Sequence, residues 1–361
     1  MNTDFARNLD EYPAYLYNLT GLETHVRDIR ASLPGTELFY AAKANPDAEI
    51  LRALAPHVDG MEVSSGGELT HVRETVPGVS VAFGGPGKAD EELHLARALK
   101  ADRIHVESPN ELARLALQGP ADILLRANLP VHIPNAVLTM SGPFGMDEDA
   151  LDECARLLTE NPHLNLRGIH AHLASGLDAP TLLDVAYEIA EWALPWLKAR
   201  GVEEPELNVG GGMGVDYTSP ESRFDWGTYG NGLSTIPAKV RVEPGRSMTA
   251  YHGWYVTDVL DVKTTRGETY VILRGGTHHL RTPAAKGHDH PFKALTAHGP
   301  ESPATLVGQL CTPKDVFARD CLVPPLIPGD IIAFTMAGAY AWNISHHDFL
   351  MHPKPTFHYL R

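Results

Sequence analysis

From about Gly21 to Met248 the chain repeats one pattern, a short apolar run followed by a longer stretch of helical periodicity. Residues 38–42, 60–63, 80–83, 103–106, 123–127, 168–173, 206–209 and 239–242 read as strands. Residues 48–54, 91–99, 109–118, 147–158 and 181–200 read as helices between them. Strands alternating with helices imply a parallel sheet, and roughly eight such units imply a closed (β/α)8 TIM barrel within an α/β fold. An open doubly wound sheet is the alternative, but no glycine fingerprint follows the first strand. After about Thr249 the texture changes to strands at 255–262, 270–273, 304–309 and 331–335, separated by Pro- and Gly-rich turns. We therefore expect a barrel over residues 21–248 and a mainly β domain over 249–361, with the strand-like segment at 12–19 placing residues 1–20 in that sheet.

Composition limits what such a chain can do. Its 361 residues suffice for one large domain and a smaller one, at roughly 150 residues per domain. A net charge of −15 argues against a nucleic-acid or anionic-membrane surface. No apolar run approaches the roughly 18 residues that span a bilayer. The start, Met1-Asn2-Thr3-Asp4-Phe5-Ala6-Arg7, lacks the basic and apolar regions of a signal peptide. Cys154, Cys311 and Cys321 are few, odd in number and far apart, so neither a disulfide framework nor a zinc site is expected. The expectation is a cytoplasmic enzyme or carrier. Of the 19 histidines only clusters carry an argument.

Lys43 closes the apolar run Leu38-Phe39-Tyr40-Ala41-Ala42 and precedes Ala44-Asn45-Pro46. The C-terminal end of a barrel strand is where this fold keeps reactive groups, and a desolvated amine there is a nucleophile or Schiff-base partner. Alone, such a lysine more often snorkels from a strand end. Gly210-Gly211-Gly212 follows a late strand. Successive glycines there let backbone N–H groups converge on an anion such as phosphate. Val242-Glu243-Pro244-Gly245-Arg246 ends the next strand with a carboxylate, a close-approach glycine and a guanidinium. His170-Ala171-His172 ends another, with both imidazoles on one face. Half a metal site is one reading of that pair; no facing acidic cluster is evident, and no metal is expected. A ring stacked on a planar cofactor is the other.

A Schiff-base lysine, a phosphate nest, a carboxylate for a ring nitrogen and a stacking imidazole are the needs of pyridoxal 5′-phosphate. The sequence resembles the fold-type III pyridoxal-phosphate enzymes, the ornithine/arginine and diaminopimelate decarboxylase family, nearly end to end. Tyr40-Ala41-Ala42-Lys43-Ala44-Asn45 looks like its lysine segment, and Ser64-Ser65-Gly66-Gly67-Glu68-Leu69 is similar to its serine-glycine-glutamate-leucine strand end. His172-Leu173-Ala174-Ser175 is similar to its His-x-Gly-Ser, with Ala174 departing at the glycine. The resemblance implies that His172 stacks on the pyridine ring and that Ser175 helps Gly210, Gly211 and Gly212 hold phosphate. It also implies the family's Glu-Pro-Gly-Arg roles for Glu243, Gly245 and Arg246, a homodimer, and a tyrosine on the phosphate at Tyr340. Family racemases place an arginine at the ring nitrogen; Glu243 instead keeps that nitrogen protonated, which favours decarboxylation. By resemblance Cys311 crosses the dimer interface and protonates Cα after carbon dioxide leaves.

Departures from the family point to the substrate. Where family members acting on ornithine or diaminopimelate carry an acid after the cysteine, this chain has Thr312. A desolvated distal ammonium without its carboxylate costs several kcal/mol, so the far amine is expected to be absent or acylated, unless nearby Asp315 replaces the acid. His278, His279 and Arg281 fall where the family carries an arginine for a distal carboxylate, and His346-His347 adds two imidazoles, a set suited to a carboxylate-rich substrate. These segments resemble the siderophore-biosynthesis branch of the staphyloferrin B type, which implies decarboxylation of a citryl-diaminopropionate conjugate. Decarboxylation of free diaminopimelate, ornithine or lysine, racemisation, and non-catalytic cofactor carriage remain the alternatives.

Overall fold

The computed structural model describes residues 3–131, 133, 136–140, 142–281, 289–296 and 298–361. The chain divides into two units, Glu23–Val215 with Arg223–Met248, and Met1–Leu22 with Asp216–Ser222 and Thr249–Arg361. Asp216–Ser222 thus leaves the barrel region of the sequence to join the second unit.

The first unit is a closed barrel of eight parallel strands, Glu37–Ala41, Gly60–Val63, Ser80–Phe83, Arg103–Val106, Ala121–Arg126, Leu164–His170, Glu206–Asn208 and Lys239–Val242. The last closes on the first, with Arg241 opposite Glu37 and Val242 opposite Leu38. Strands covered on both faces are apolar along their length rather than alternating, as Val81, Ala82 and Phe83 are, all fully buried. Many connections run straight from a strand into a capped helix. Asp47 accepts the Glu49 N–H at 2.9 Å and starts Ala48–Leu54. Ser65, Ser108, Asp147, Asp178 and Asp225 cap later helices in the same manner. Residues 42–44 form a 3-10 turn instead of continuing the first strand. Lys43 therefore sits on that turn, one step beyond the sheet.

At the opposite end, buried charges tie the strand starts together. Arg103 donates to both oxygens of Glu206, at 2.7 and 2.5 Å. Arg241 donates twice to Glu37, at 2.9 and 2.6 Å, with its guanidinium 4.0 Å above the Phe39 ring.

The second unit is an eight-stranded, mainly antiparallel sheet. Its longest strand, Gly253–Thr265, shifts register between Val259 and Asp261. Before the shift it pairs with Ala14–Asn18 and Ile331–Phe334, and after it with Glu268–Leu273. Ala14–Asn18 also pairs in parallel with Thr356–Leu360, so the strand-like N-terminal segment lies inside this sheet. Tyr15, Tyr255, Phe317 and Phe334 fill its core. Among the described residues no helix is long and apolar enough to cross a membrane.

Burial alone would raise the pKa of Glu206, and the Arg103 bonds overcome that and hold it below the ordinary carboxylate value. Such a depressed group contributes stability above its unfolded pKa, and the contribution is lost as pH falls through the folded value. Among the described residues, Arg103→Ala leaves Glu206 an ion pair with Arg167 alone, at 3.6 Å, with Arg241 and Lys239 acting from farther away. It should lower stability at pH 7 by about 3 kcal/mol, the lower end for breaking a buried pair. Urea unfolding at pH 7 and pH 4 checks this, and the deficit relative to wild type should shrink at pH 4.

Candidate active site

At the C-terminal end of the barrel Lys43 faces the second strand. Its Nζ lies 2.6 Å from Glu62 Oε2 and 3.4 Å from Ser64 Oγ, while Ser64 Oγ donates to Glu62 Oε1 at 2.8 Å. The Lys43 side chain is 46% exposed and Glu62 only 5%. The amine is thus ion-paired and reaches solvent, where the sequence suggested a desolvated one. Burial works to raise the pKa of Glu62, but the Lys43 charge and the Lys43 and Ser64 hydrogen bonds bring it below the ordinary carboxylate value.

The Glu-Pro-Gly-Arg segment packs directly on this turn. Ala41 donates its N–H to Pro244 O at 3.1 Å. A Cβ on Gly245 would meet Ala44 Cβ at 2.8 Å, so only glycine admits the contact. Glu243 is buried and accepts from Asn208 Nδ2 at 2.6 Å. Burial, followed by the Glu62 charge, pushes its pKa up to about 7. Arg246 opens the short helix Arg246–Thr249 directly after the turn.

The glycine run lies between these groups and the His170 strand. Gly210 and Gly212 adopt φ of 72° and 100°, the left-handed region where a side chain is strained. A Cβ on Gly210 would fall 2.6 Å from His172, and one on Gly211 would fall 2.6 Å from Glu243 O. The Gly210 carbonyl accepts from Glu243 N–H, and the Gly212 carbonyl accepts from Gly176 and Leu177 N–H. Among the described residues no backbone acceptor meets the N–H of Gly211 or Gly212. Ser175 Oγ lies 3.3 Å from His172 Nε2. Burial and then the Lys43 charge lower the His172 pKa to about 3, so this imidazole is neutral.

Behind Glu243 lies a layer that the sequence reading overlooked. His105 and His170 stack with centroids 4.2 Å apart and 30° between their planes. His170 Nε2 is 3.6 Å from Glu243 Oε2, and His105 Nε2 is 3.9 Å from Oε1. These three side chains bring ligand atoms within 4.8 Å of one another, so the acidic partner that His170 lacked in sequence is present. Arg241, Lys88, Arg126 and Lys43, however, place positive charge around His105, which opposes a bound dication. Glu62, His105, Asn208 and Arg126 share one sequence signal, a polar residue at or next to the C-terminal end of a short buried strand.

The other candidate residues belong to the β unit. His278 and His279 are buried with ring centroids 3.8 Å apart; His352 and His346 lie 5.4 and 6.4 Å from His278. His347 stacks on Trp342 at 3.7 Å. Among the described residues, neither ring nitrogen of His278 has a hydrogen-bond partner. Burial and the neighbouring imidazoles lower its pKa to about 4 and that of His279 to about 3. Cys311 and Arg281 are exposed, Thr312 is half-buried, and Tyr340 sits at φ 49° in a turn after Ile331–Phe334. Asp315 has a different employment from the one considered for it. Its buried carboxylate accepts from Thr277 N–H at 2.6 Å and Leu310 N–H at 2.8 Å, which ties the His278 loop to the Cys311 loop.

Comparison with known proteins agrees with this geometry. The family description "pyridoxal-dependent decarboxylase, pyridoxal binding domain" matches residues 19–250. A 2-[(L-alanin-3-ylcarbamoyl)methyl]-2-hydroxybutanedioate decarboxylase of Staphylococcus aureus (strain NCTC 8325 / PS 47) is 41% identical over 373 residues, covering 96% of this chain and 93% of its own. An L-glutamyl-[BtrI acyl-carrier protein] decarboxylase of Niallia circulans is 28% identical, covering 96% and 88%. The crystal structure of diaminopimelate decarboxylase from Helicobacter pylori complexed with L-lysine superposes with a TM-score of 0.90 at 26% identity, covering 100% of this chain and 94% of that one.

Borohydride reduction of protein loaded with pyridoxal 5′-phosphate should leave the pyridoxyl label on Lys43. Peptide mass spectrometry checks it, and a label on another lysine instead would remove Lys43 from the site.

Proposed function

The chain belongs to the pyridoxal-dependent decarboxylase family, and from that premise we propose that it removes the α-carboxylate of an N-acylated, carboxylate-rich diamino acid. The compound is of the citryl-diaminopropionate kind, a siderophore precursor. The Staphylococcus aureus relative's substrate name describes such a compound, with alanine joined through its 3-amino group to a hydroxy-polycarboxylate. The observation that carries the substrate reading is the carboxylate of Asp315. Both of its oxygens already serve backbone amides. With Thr312 after Cys311, the acid that would receive a distal ammonium is missing from this loop.

The barrel end fits pyridoxal 5′-phosphate. Lys43 is the amine that would carry it. The close-packed Gly210–Gly212 run, with Ser175, Gly245, Arg246 and Tyr340, would hold the phosphate. Neutral His172 would lie against the ring, and buried Glu243 would meet the ring nitrogen. When bound, the cofactor supplies an electron-accepting ring for the pair left on Cα as carbon dioxide departs. Glu243, as a carboxylate, would keep the proton on the ring nitrogen. Glu62 holds the Lys43 ammonium in place through the 2.6 Å ion pair. Cys311, exposed on its loop, returns a proton to Cα. His278, His279 and Arg281 would face the carboxylates of the acyl group, where an imidazole lacking partners gains a hydrogen bond from an arriving anion. We read the working protein as a cytoplasmic homodimer whose sites are shared across the interface.

Carbon dioxide release should be at least about tenfold faster, in kcat/KM, from a citryl-diaminopropionate conjugate than from free diaminopimelate, ornithine or lysine, a difference of about 1.4 kcal/mol in transition-state binding. The reverse order would sink the substrate assignment, and deuterium exchange at Cα without carbon dioxide loss would indicate a racemase. Cys311→Ala should still release carbon dioxide while the amine product becomes misprotonated or is lost to side reaction. An unchanged product profile by NMR in deuterated buffer would remove the role of Cys311.

A further inference from the structure

The barrel holds a buried polar layer that the decarboxylation described above does not use. Asn208 is oriented by its neighbours. Its Oδ1 accepts the Gly210 N–H at 3.0 Å, so its amide nitrogen must face Glu243 and His105. One Asn208 hydrogen goes to Glu243 Oε1 at 2.6 Å, and the other points at His105 Nε2, 3.4 Å away. That arrangement makes His105 Nε2 an acceptor and uses Glu243 Oε1. Oε2 remains, and the polar atom facing it is His170 Nε2 at 3.6 Å. Among the described residues, neither ring nitrogen of His170 has a hydrogen-bond partner, although the residue is only 5% exposed. A buried ring with two unmet nitrogens costs stability, and closing the gap by a few tenths of an ångström would satisfy one of them.

We propose that His170 is a positioning residue that donates its Nε2–H to Glu243 Oε2, so that with Asn208 on Oε1 the carboxylate stays ionised and the cofactor's ring nitrogen keeps its proton. This rests on the reading of Glu243 as the partner of that nitrogen. The donor must be a neutral imidazole, and the surroundings keep it so: burial acts first, then His105, Arg126, His172 and Lys43. The groups around Glu243 pull in both directions. Glu62 on the second strand raises its proton affinity, whereas Lys43 and Arg241 lower it. Two neutral donors in a dry layer add to the lowering side. Without the His170 donor, Glu243 binds a proton more tightly and draws it from the ring nitrogen.

The experiment uses holoenzyme carrying pyridoxal 5′-phosphate labelled with 15N in the ring, read by NMR between pH 6 and 9. In the wild type the resonance should stay near the protonated position. In His170→Phe the proton partition should shift at least about tenfold from the ring nitrogen toward Glu243, about one pK unit, so that the resonance lies nearer the unprotonated position throughout that pH range. His170→Gln keeps an N–H at similar reach and should restore the wild-type course. Should the Phe variant fail to fold, His170→Asn, polar but too short for Oε2, takes its place with the same expectation. A His170→Phe or His170→Asn resonance that tracks the wild type overturns the proposal. A wild-type resonance that is already unprotonated would instead overturn the assignment of Glu243, which keeps the two failures distinct.

Discussion

Glu62 and Glu243 are two buried carboxylates at one end of a barrel, close enough for the charge of one to disfavour ionisation of the other. A carboxylate taken from water without a partner neutralises itself rather than stay charged. Their partners differ, and so do their states. Glu62 has Lys43 at 2.6 Å and the Ser64 hydroxyl at 2.8 Å, which hold it ionised. Glu243 has one neutral amide and a repelling neighbour, and its pKa rises to about 7. The barrel end therefore carries one satisfied acid beside the exposed amine and one acid that gains from an arriving N–H cation. That asymmetry suits the roles proposed here, a basic ring nitrogen at Glu243 and a carbonyl at Lys43. It arises from where the positive charge sits, since both acids are carboxyls of the same length.

Such a balance requires backbone that does not give. Closure of eight parallel strands removes the free edges of the sheet, and the paired Arg103–Glu206 and Arg241–Glu37 bridges join strands at the far end. At the site end, Ser and Asp caps turn the chain promptly into helices, so polar strand-end residues stop at similar heights. The glycines act in the same sense. Gly245 lets the Glu-Pro-Gly-Arg turn rest on Ala41 and Ala44, and Gly211 lets the phosphate-site candidate approach the carbonyl of Glu243.

Much of this was legible in sequence because the informative residues end apolar runs. Lys43, Gly210–Gly212 and Glu243–Arg246 each break a hydrophobic pattern at the end of a strand. Glu62, His105 and Asn208 were not legible. Each lies in a strand of only three or four residues, and no pattern that short says whether it faces the barrel interior or the helices. Gly66–Thr75 and Trp226–Leu233 escaped as helices because glycine lowers their intrinsic propensity. Tertiary contact overrides that at Gly230, where any Cβ would strike the Ser32 carbonyl. Thr356–Leu360 was missed for another reason. Its partner, Ala14–Asn18, lies at the opposite end of the chain, and local reading cannot see that pairing.

Asp315 shows how proximity in sequence misleads about chemistry. Standing four residues after Cys311, it was a natural candidate to receive a substrate ammonium. A carboxylate that accepts two backbone N–H groups in a buried position is instead a staple between loops. Gly276 and Gly308 leave it room, since a Cβ on either would approach within 2.7 Å of its oxygens. The consequence is chemical as well as structural. The staple fixes the loop bearing His278 and His279 against the loop bearing Cys311 and Thr312, so the proposed proton donor and the proposed anion-binding imidazoles share one support. Because those imidazoles are neutral when nothing is bound, they repel neither one another nor a cation strongly. They gain charge only by taking up a proton, and an anion close by is what favours that uptake. The proposed preference for a polycarboxylate would follow from removing one accessible acid and supplying uncharged bases that an anion can charge.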